Sequence, residues 1–341
     1  MADKSAIEWT EATWNCLRGC TRVSEGCRFC YAMLIAARFS KPGQAYEGLA
    51  YFDNDGHPHW TGQVRLIEEL LDQPLRWKRP RRIFVNSMSD LFHENVSDFD
   101  IQRIFDVMYN APQHTFQILT KRPERMRDYF NAHRGWWGNY PQWKHVHLGV
   151  SVEDQKTADE RIPLLLETPA AVRWISAEPL LGAIDLSKWL ATPVVHGAES
   201  LSPDTANALK QLAQAAARQQ VWATLDWVVV GGESGSNARP MNPAWARSLR
   251  DQCRAAGVAF FFKQWGEWVP TAKYSDFQGT VYYNDKGVKP CIYKEHLFTA
   301  DWYAYGQDDG KMTVTTSKML RVGKKEAGRL LEGRTWDEYP K

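Results

Sequence analysis

The sequence predicts an α/β fold in which six to eight parallel strands curl into a complete or partial (β/α) barrel. Three observations lead there. Short apolar, β-rich runs alternate with amphipathic helical patterns over the first three quarters of the chain, the signature of βα units around a parallel sheet. Several runs are apolar almost throughout, as strands covered on both faces are. Run after run then ends in a charged or small polar group, and in a TIM-like barrel such groups gather at one mouth. A doubly wound open sheet carries the same alternation, and periodicity does not reveal closure.

In chain order the strand candidates are 7–10, 64–67, 82–87, 116–119, 146–152, 173–176, 227–230 and 259–262. Helical patterns lie between them at 31–39, 68–77, 98–109, 124–132, 158–166 and 243–256. The barrel is expected to span 1–268, with residues 191–224, rich in Ala and Gln around a polar turn at 200–204, as an insertion between two strands. Beyond Trp268 come short aromatic runs such as 280–283, followed by Asn284-Asp285-Lys286-Gly287, which reads as a hairpin. Residues 269–341 are therefore expected to form a small β-rich C-terminal region. It ends in a short basic helix carrying Lys324, Lys325, Arg329 and Arg334.

With 341 residues the chain can bury a sizeable core. Its 44% apolar and 24% charged residues exclude a disordered or fibrous protein. A formal net charge of +2 gives no global field, so nucleic-acid binding would need a local basic patch. Sixteen Trp supply aromatic area for packing or for stacking on bases. The first residues lack a basic segment followed by an apolar run, and no apolar stretch reaches the roughly 18 residues a membrane span needs. A cytoplasmic protein without membrane contact is expected.

Six cysteines are present, and four of them, Cys16, Cys20, Cys27 and Cys30, crowd between the first strand candidate and the first helix. In a reducing compartment such a group reads as metal binding before disulfides. Its place in a βα loop puts it on the face where barrels do chemistry. Three thiolates can hold three irons of a four-iron cluster and leave the fourth open. Four thiolates make a closed zinc site, and Cys27-x-x-Cys30 suits zinc equally. Spacing leaves both open. Cys253 and Cys291 read as small buried hydrophobes.

Gly19-Cys20 through Cys27-x-x-Cys30-Tyr31-Ala32 is accompanied by Asn86-Ser87-Met88-Ser89-Asp90-Leu91-Phe92-His93, Leu119-Thr120-Lys121-Arg122-Pro123 and Gly231-Gly232-Glu233-Ser234-Gly235. Lys263-Gln264-Trp265-Gly266 and Gly323-Lys324-Lys325 through Trp336-Asp337-Glu338 complete the set. Together these motifs resemble a phage-associated three-Cys-motif family of uncharacterised proteins, which is similar to radical S-adenosylmethionine enzymes. The resemblance implies that Cys20, Cys27 and Cys30 bind a [4Fe-4S] cluster, that S-adenosylmethionine takes the open iron, and that Phe29 lies near its adenine. Six residues separate the first two cysteines where the larger superfamily has three. Cys16 stands where the family usually has Pro, which makes it an extra thiol. Gly231-Gly232-Glu233 resembles the motif that receives the amino group of S-adenosylmethionine, though it comes later in the chain.

The strand ends nominate the remaining site. Asp90, Lys121, Glu153, Glu178, Glu233 and Lys263 become neighbours if the barrel forms. Lys121, Glu178 and Lys263 are the expected catalytic groups, and Phe29, Asp90, Glu153, Gly231, Gly232 and Glu233 the expected cofactor-binding ones. His93 and Lys121 are candidate proton donors or substrate holders. Basic and aromatic residues interleave at 77–82, at 134–137 with Trp143-Lys144, and near Lys324, which suggests a nucleotide or nucleic-acid base as substrate. A partner protein could complete the site. The alternative is a zinc-binding, nucleic-acid-binding protein without enzymatic activity, using all four clustered cysteines.

Overall fold

In the computed structural model, residues 5–133, 143–190, 223–270, 295–299 and 316–340 are described. The expected insertion (but for its last two residues), the hairpin at 280–287, the 134–137 stretch and Cys291 lie outside them.

The elements run β1 (Ala12–Trp14), β2 (Leu17–Arg18), α1 (Tyr31–Arg38), β3 (Ala50–Phe52), β4 (Pro58–Trp60), β5 (Arg65–Leu66), α2 (Glu68–Leu71), β6 (Arg82–Val85) and α3 (Asp98–Tyr109). They continue with β7 (Thr115–Thr120), α4 (Pro123–Ala132), β8 (Val146–Ser151), α5 (Gln155–Glu167), β9 (Val172–Ala177), α6 (Ser187–Leu190), β10 (Trp227–Gly231), α7 (Pro243–Ala256) and β11 (Ala259–Gln264). Last come β12 (Trp268–Pro270), β13 (Glu295–Thr299), β14 (Thr316–Arg321) and α8 (Lys324–Ala327).

Seven strands form one sheet in the order β1-β6-β7-β8-β9-β10-β11, every pairing parallel. The sheet curls into a half-barrel. In a flat sheet the first and sixth of these strands would lie about 24 Å apart, at about 4.8 Å per step. Yet the ring of Trp9, just ahead of β1, lies 5.1 Å from Trp174 on β9 and 6.0 Å from Trp227 on β10. Only a concave sheet brings those rings together. Gly149 on β8 makes room, since a side-chain carbon there would overlap the Trp174 indole.

Period-two alternation divides each strand. Ile83, Phe116, Ile118, Leu148, Val150, Val228 and Val230 point outward into the main core. Phe84, Trp174, Trp227, Val229 and Phe261 point inward around Trp9. The helices of the outer layer start and stop where their ends can be satisfied. At α3, Ser97 accepts the Asp100 amide at 3.1 Å, and Ile101, Ile104, Phe105 and Met108 form the buried stripe. Asn242 caps α7, Pro243 opens it, and Gly257 closes it at φ 69°.

Three expectations are corrected. The 7–10 run is a turn closed by Thr10 N–H to the Ile7 carbonyl at 3.2 Å, and the strand begins at Ala12 because Trp9 turns inward to fill the curl. The 64–67 run contributes only Arg65–Leu66, paired antiparallel with Leu17–Arg18 outside the main sheet. The alternation marks extended chain and cannot name its partner. The 68–77 pattern breaks into α2 and a 3₁₀ turn over Gln73–Arg76, where Pro74 offers no amide to a continuing helix.

The chain beyond Trp268 contributes the three-stranded antiparallel sheet β12-β14-β13. The expected basic helix is a single turn, and Arg329 and Arg334 lie beyond it because Gly328, at φ 68°, ends α8. The last residues instead run along the free edge of β11. Phe262 N–H donates to the Trp336 carbonyl at 3.0 Å and Glu338 N–H to Phe260 at 3.3 Å. Tyr339 packs on Trp227 and Phe261, with the Arg82 guanidinium 4.2 Å from its ring centre. Met319, Leu331 and Trp336 belong to the same core cluster as the barrel strands. This tail covers an edge that would otherwise expose unpaired amides.

Candidate functional site

A cavity of about 650 Å³ opens at the C-terminal ends of the parallel strands, within the usual range for small-molecule sites. The alternation that builds the interior also builds its wall. Two residues beyond inward Phe84 comes Asn86, beyond Leu119 comes Lys121, and beyond Ser176 comes Glu178, and all six line the cavity. Lys263 follows inward Phe261 in the same way and lines it too.

Cys20, Cys27 and Cys30 also line this cavity. Their loop is held from three strand ends. Behind β7, Arg122 lies 3.9 Å from the Cys20 sulfur and bonds Thr21, while Asp90 anchors it at 3.0 Å. Behind β8, Glu153 accepts from Ser24 at 2.8 Å, and Gly26 packs so closely that any side chain there would collide with the Glu153 carboxylate. Behind β10, Arg239 reaches the Glu25 carbonyl at 2.9 Å.

Cys16 is separate. It is fully buried, its thiol donates to Asn86 Oδ1 at 3.7 Å, and burial pushes its pKa up. Burial, then the nearby Asp90 carboxylate, push Cys20 up to about 12 against the pull of Arg122. Cys30 is raised by burial and drawn back by the amides of Met33 and Ala32 at the start of α1. Both are sulfurs that favour a positive partner over free thiolate. At least one pair among the Cys20, Cys27 and Cys30 sulfurs is more than 4.8 Å apart, because these three form no closer group. A tetrahedral zinc with bonds of about 2.3 Å would set its sulfurs about 3.8 Å apart. The three thiols thus share a cavity wall without converging on one ion.

The charged residues named from the strand ends are assembled but mostly engaged. Lys263 holds both oxygens of Glu178 at 2.8 and 2.9 Å. Lys121 meets Glu153, whose other oxygen accepts from Arg161 at 3.1 Å. Burial alone would raise the Glu153 carboxyl, but Lys121 and Arg161 outweigh it and keep its pKa low. Glu153 is buried beneath Lys121. Asp90 accepts from Thr120 at 2.7 Å and from the Lys121 amide at 3.1 Å. Glu233 lines the cavity, but Arg239 clamps its two oxygens at 2.9 and 2.8 Å. Gly232 lines the wall, and Gly231 gives Glu178 the space a side chain would take. Phe29 lines the cavity beneath the Arg239 guanidinium, 5.3 Å from its ring centre.

His93 is fully buried. Its Nδ1 accepts the Asn95 amide at 3.1 Å, so its proton sits on Nε2, 3.1 Å from Thr21 Oγ1, and burial lowers its pKa. It is not among the residues that line the cavity. Cys253 is buried as expected.

Sequence reasoning missed Asn86, Arg122, Arg161, Arg239 and Gln264. Asn86, Arg122 and Gln264 stand inside motifs whose charged members, Asp90, Lys121 and Lys263, carry the more obvious chemistry. Nothing in the spacing joins Arg161 or Arg239 to the cysteine loop.

Residues 4–340 match the model of a family described as "Protein of unknown function (DUF5131)", and the chain belongs to that family. No curated protein and no solved structure matches it. No helix among the described residues is long and apolar enough to cross a membrane.

Proposed function

We propose that this member of the DUF5131 family is a radical S-adenosylmethionine-type enzyme, a cytoplasmic partial TIM-like barrel acting on a nucleotide or nucleic-acid base. One observation carries the reading: three cysteines of a single βα loop line one cavity at the strand C-termini, while the fourth is withdrawn to bond Asn86. The donor set fits a [4Fe-4S] cluster, since three thiolates leave one iron open. When bound with S-adenosylmethionine, such a cluster supplies the electron for its reductive cleavage, the chemistry that ends in hydrogen abstraction from a substrate.

The chain's own residues then have distinct tasks. Arg122, Glu153 and Arg239 hold the cysteine loop in register with β7, β8 and β10. The Arg122 guanidinium beside Cys20 offsets thiolate charge at this half-buried sulfur. Lys121, paired with Glu153, and the Glu178–Lys263 ion pair give the cavity fixed charges that can orient a polar substrate, and Phe29 offers a flat apolar face. The closed zinc alternative would need Cys16 to leave its buried bond to Asn86 and the other sulfurs to close up.

Anaerobic reconstitution with iron and sulfide, reduction, and incubation with S-adenosylmethionine tests the proposal. The expected product is 5′-deoxyadenosine, formed slowly even without substrate. A protein that holds about four irons and releases none would overturn it. Partner proteins able to deliver the electron can be compared in the same assay.

A further inference from the structure

Helix α1 is packed with its small side inward. Ala36 and Ala37 are buried against Tyr46, Leu49 and Ala50, while Tyr31, Ile35 and Phe39 stand 49%, 36% and 52% exposed. Spaced four apart, these three share one face and form a stripe about 12 Å long. One exposed apolar side chain is ordinary, but a row that starts at a cavity calls for a partner. Tyr31 lines the cavity, and its phenol is held on the Ser87 carbonyl at 2.6 Å. The far end of the stripe is cationic. Arg38 and Lys41 are exposed there, the Phe39 carbonyl receives the Tyr46 amide at 3.0 Å, and the Arg18 guanidinium lies 5.4 Å from the Tyr46 ring centre. Arg18 in turn stands opposite Arg65 across the β2–β5 pair. Like charges placed so repel. Their bonds go to main-chain carbonyls, Arg18 to Ala45 at 2.9 Å and Arg65 to Glu47 at 3.1 Å, which leave both charges in place. Among the described residues no carboxylate lies within 4.0 Å of Arg18, Arg38, Lys41 or Arg65, whereas Arg76, Arg103 and Arg127 each have one.

We infer that this face is a docking track for single-stranded nucleic acid. Unpaired bases lie along Tyr31, Ile35 and Phe39, phosphates meet Arg18, Arg38, Lys41 and Arg65, and the nucleotide at the Tyr31 end enters the cavity. The inference rests on the nucleic-acid-base reading above and narrows it, making the substrate a polymer and not a free nucleotide. A cavity of about 650 Å³ has room for small molecules and not for a chain. The rest of a polymer must therefore lie outside, where the stripe gives it a path. A duplex keeps its base faces stacked on each other and offers the stripe nothing. An acidic peptide would answer the arginines but would leave the aromatic end of the stripe uncovered.

Fluorescence anisotropy on the full chain without iron tests this, with labelled mixed-sequence DNA and RNA strands of about 12 nucleotides as probes. A single strand should bind about tenfold or more tighter than the duplex of the same sequence, and its affinity should fall as salt rises. The Arg18→Ala/Arg65→Ala chain should lose about tenfold or more, with a salt slope flatter by about 0.7 for each phosphate contact removed. Phe39→Ala should lose about fivefold or more and keep the wild-type slope, because stacking carries no charge. Arg76→Ala/Arg103→Ala, which removes cations that already have carboxylate partners, should bind as the wild type does. Whichever strand binds tighter identifies the sugar of the natural polymer. The Arg18→Ala/Arg65→Ala chain, once reconstituted, should still release 5′-deoxyadenosine without substrate, so failure of the track is distinct from failure of the radical reading. No binding of either strand by the wild-type chain overturns the inference, as does unchanged binding by folded Arg18→Ala/Arg65→Ala or Phe39→Ala chains. Displacement of the strand by polyglutamate together with full binding by Phe39→Ala would also overturn it and assign the face to an acidic protein.

Discussion

The inner face of the sheet has two halves made by the same strands. Toward the strand N-termini, Trp9, Phe84, Trp174, Trp227 and Phe261 pack as an uncharged aromatic plug, with Tyr339 added from the tail. Two residues further along the same rows stand Asn86 and Lys263, and four beyond Trp174 stands Glu178, around an open cavity with three thiols. The backbone is the same in both. What differs is that the plug can satisfy itself by dispersion and burial, whereas the mouth is full of groups that need partners. Stability is expected to live in the first half and chemistry in the second.

The largest effect that could break this division is metal content. Cys20→Ala, Cys27→Ala and Cys30→Ala should each abolish iron binding after anaerobic reconstitution, while Cys16→Ala retains it. Equal loss from all four would place Cys16 in the mouth and favour the closed zinc site.

On the plug side, Trp174→Ala should cost about 3–5 kcal/mol in urea unfolding, since a fully buried indole is replaced by a cavity. Iron content per folded molecule should stay unchanged. A Trp174→Ala protein of normal stability would mean the plug is not what holds the curl.

Acid sharpens the same contrast through His147, which faces inward on β8 with Nδ1 unpartnered. Burial first, then His145, lowers its pKa from 6.5 to about 4. The folded chain therefore holds it neutral where the unfolded chain would protonate it. Its contribution is complete above about pH 6.5 and is lost as pH falls toward 4, by about 3 kcal/mol. Urea midpoints measured at pH 7 and 4.5 should fall less in His147→Asn than in the wild type. Parallel slopes would count against a neutral buried imidazole.

The smallest effect belongs to the rim. Arg28 and Glu25 pair at 3.6 Å with side chains 60% and 70% exposed, and such pairs contribute little. Arg28→Ala should shift stability by less than about 0.5 kcal/mol in the same urea assay. A larger loss would show that the rim of the cysteine loop is structural after all.

Several parts of this were readable in advance because they depend on neighbours in sequence. The boundaries of α3 and α7 follow from caps and stripes within a few residues of each other, and both were placed to the residue. The strands from β6 to β11 were legible from apolar runs, and the polar residue after each marked the mouth. The cysteine loop was legible from composition alone. The turn at Trp9 was not, because its reason is the hollow formed by β9 and β10, far along the chain. Nor was the short tail helix, whose residues leave for the edge of β11 as soon as Gly328 permits.

What the sequence by itself determined is which residues face one way: period two puts Phe84 with Asn86 and Ser176 with Glu178, whatever the sheet does next. Tertiary structure alone decided which of those faces meet. Curling brought β6 opposite β11, so that Asn86 and Gln264 border one cavity, and it carried Arg239 to Glu25 across more than two hundred positions. The physical reason is range. Side-chain direction is set by sterics within a residue or two, while pairing, enclosure and the matching of buried charges depend on distances that only the closed chain defines.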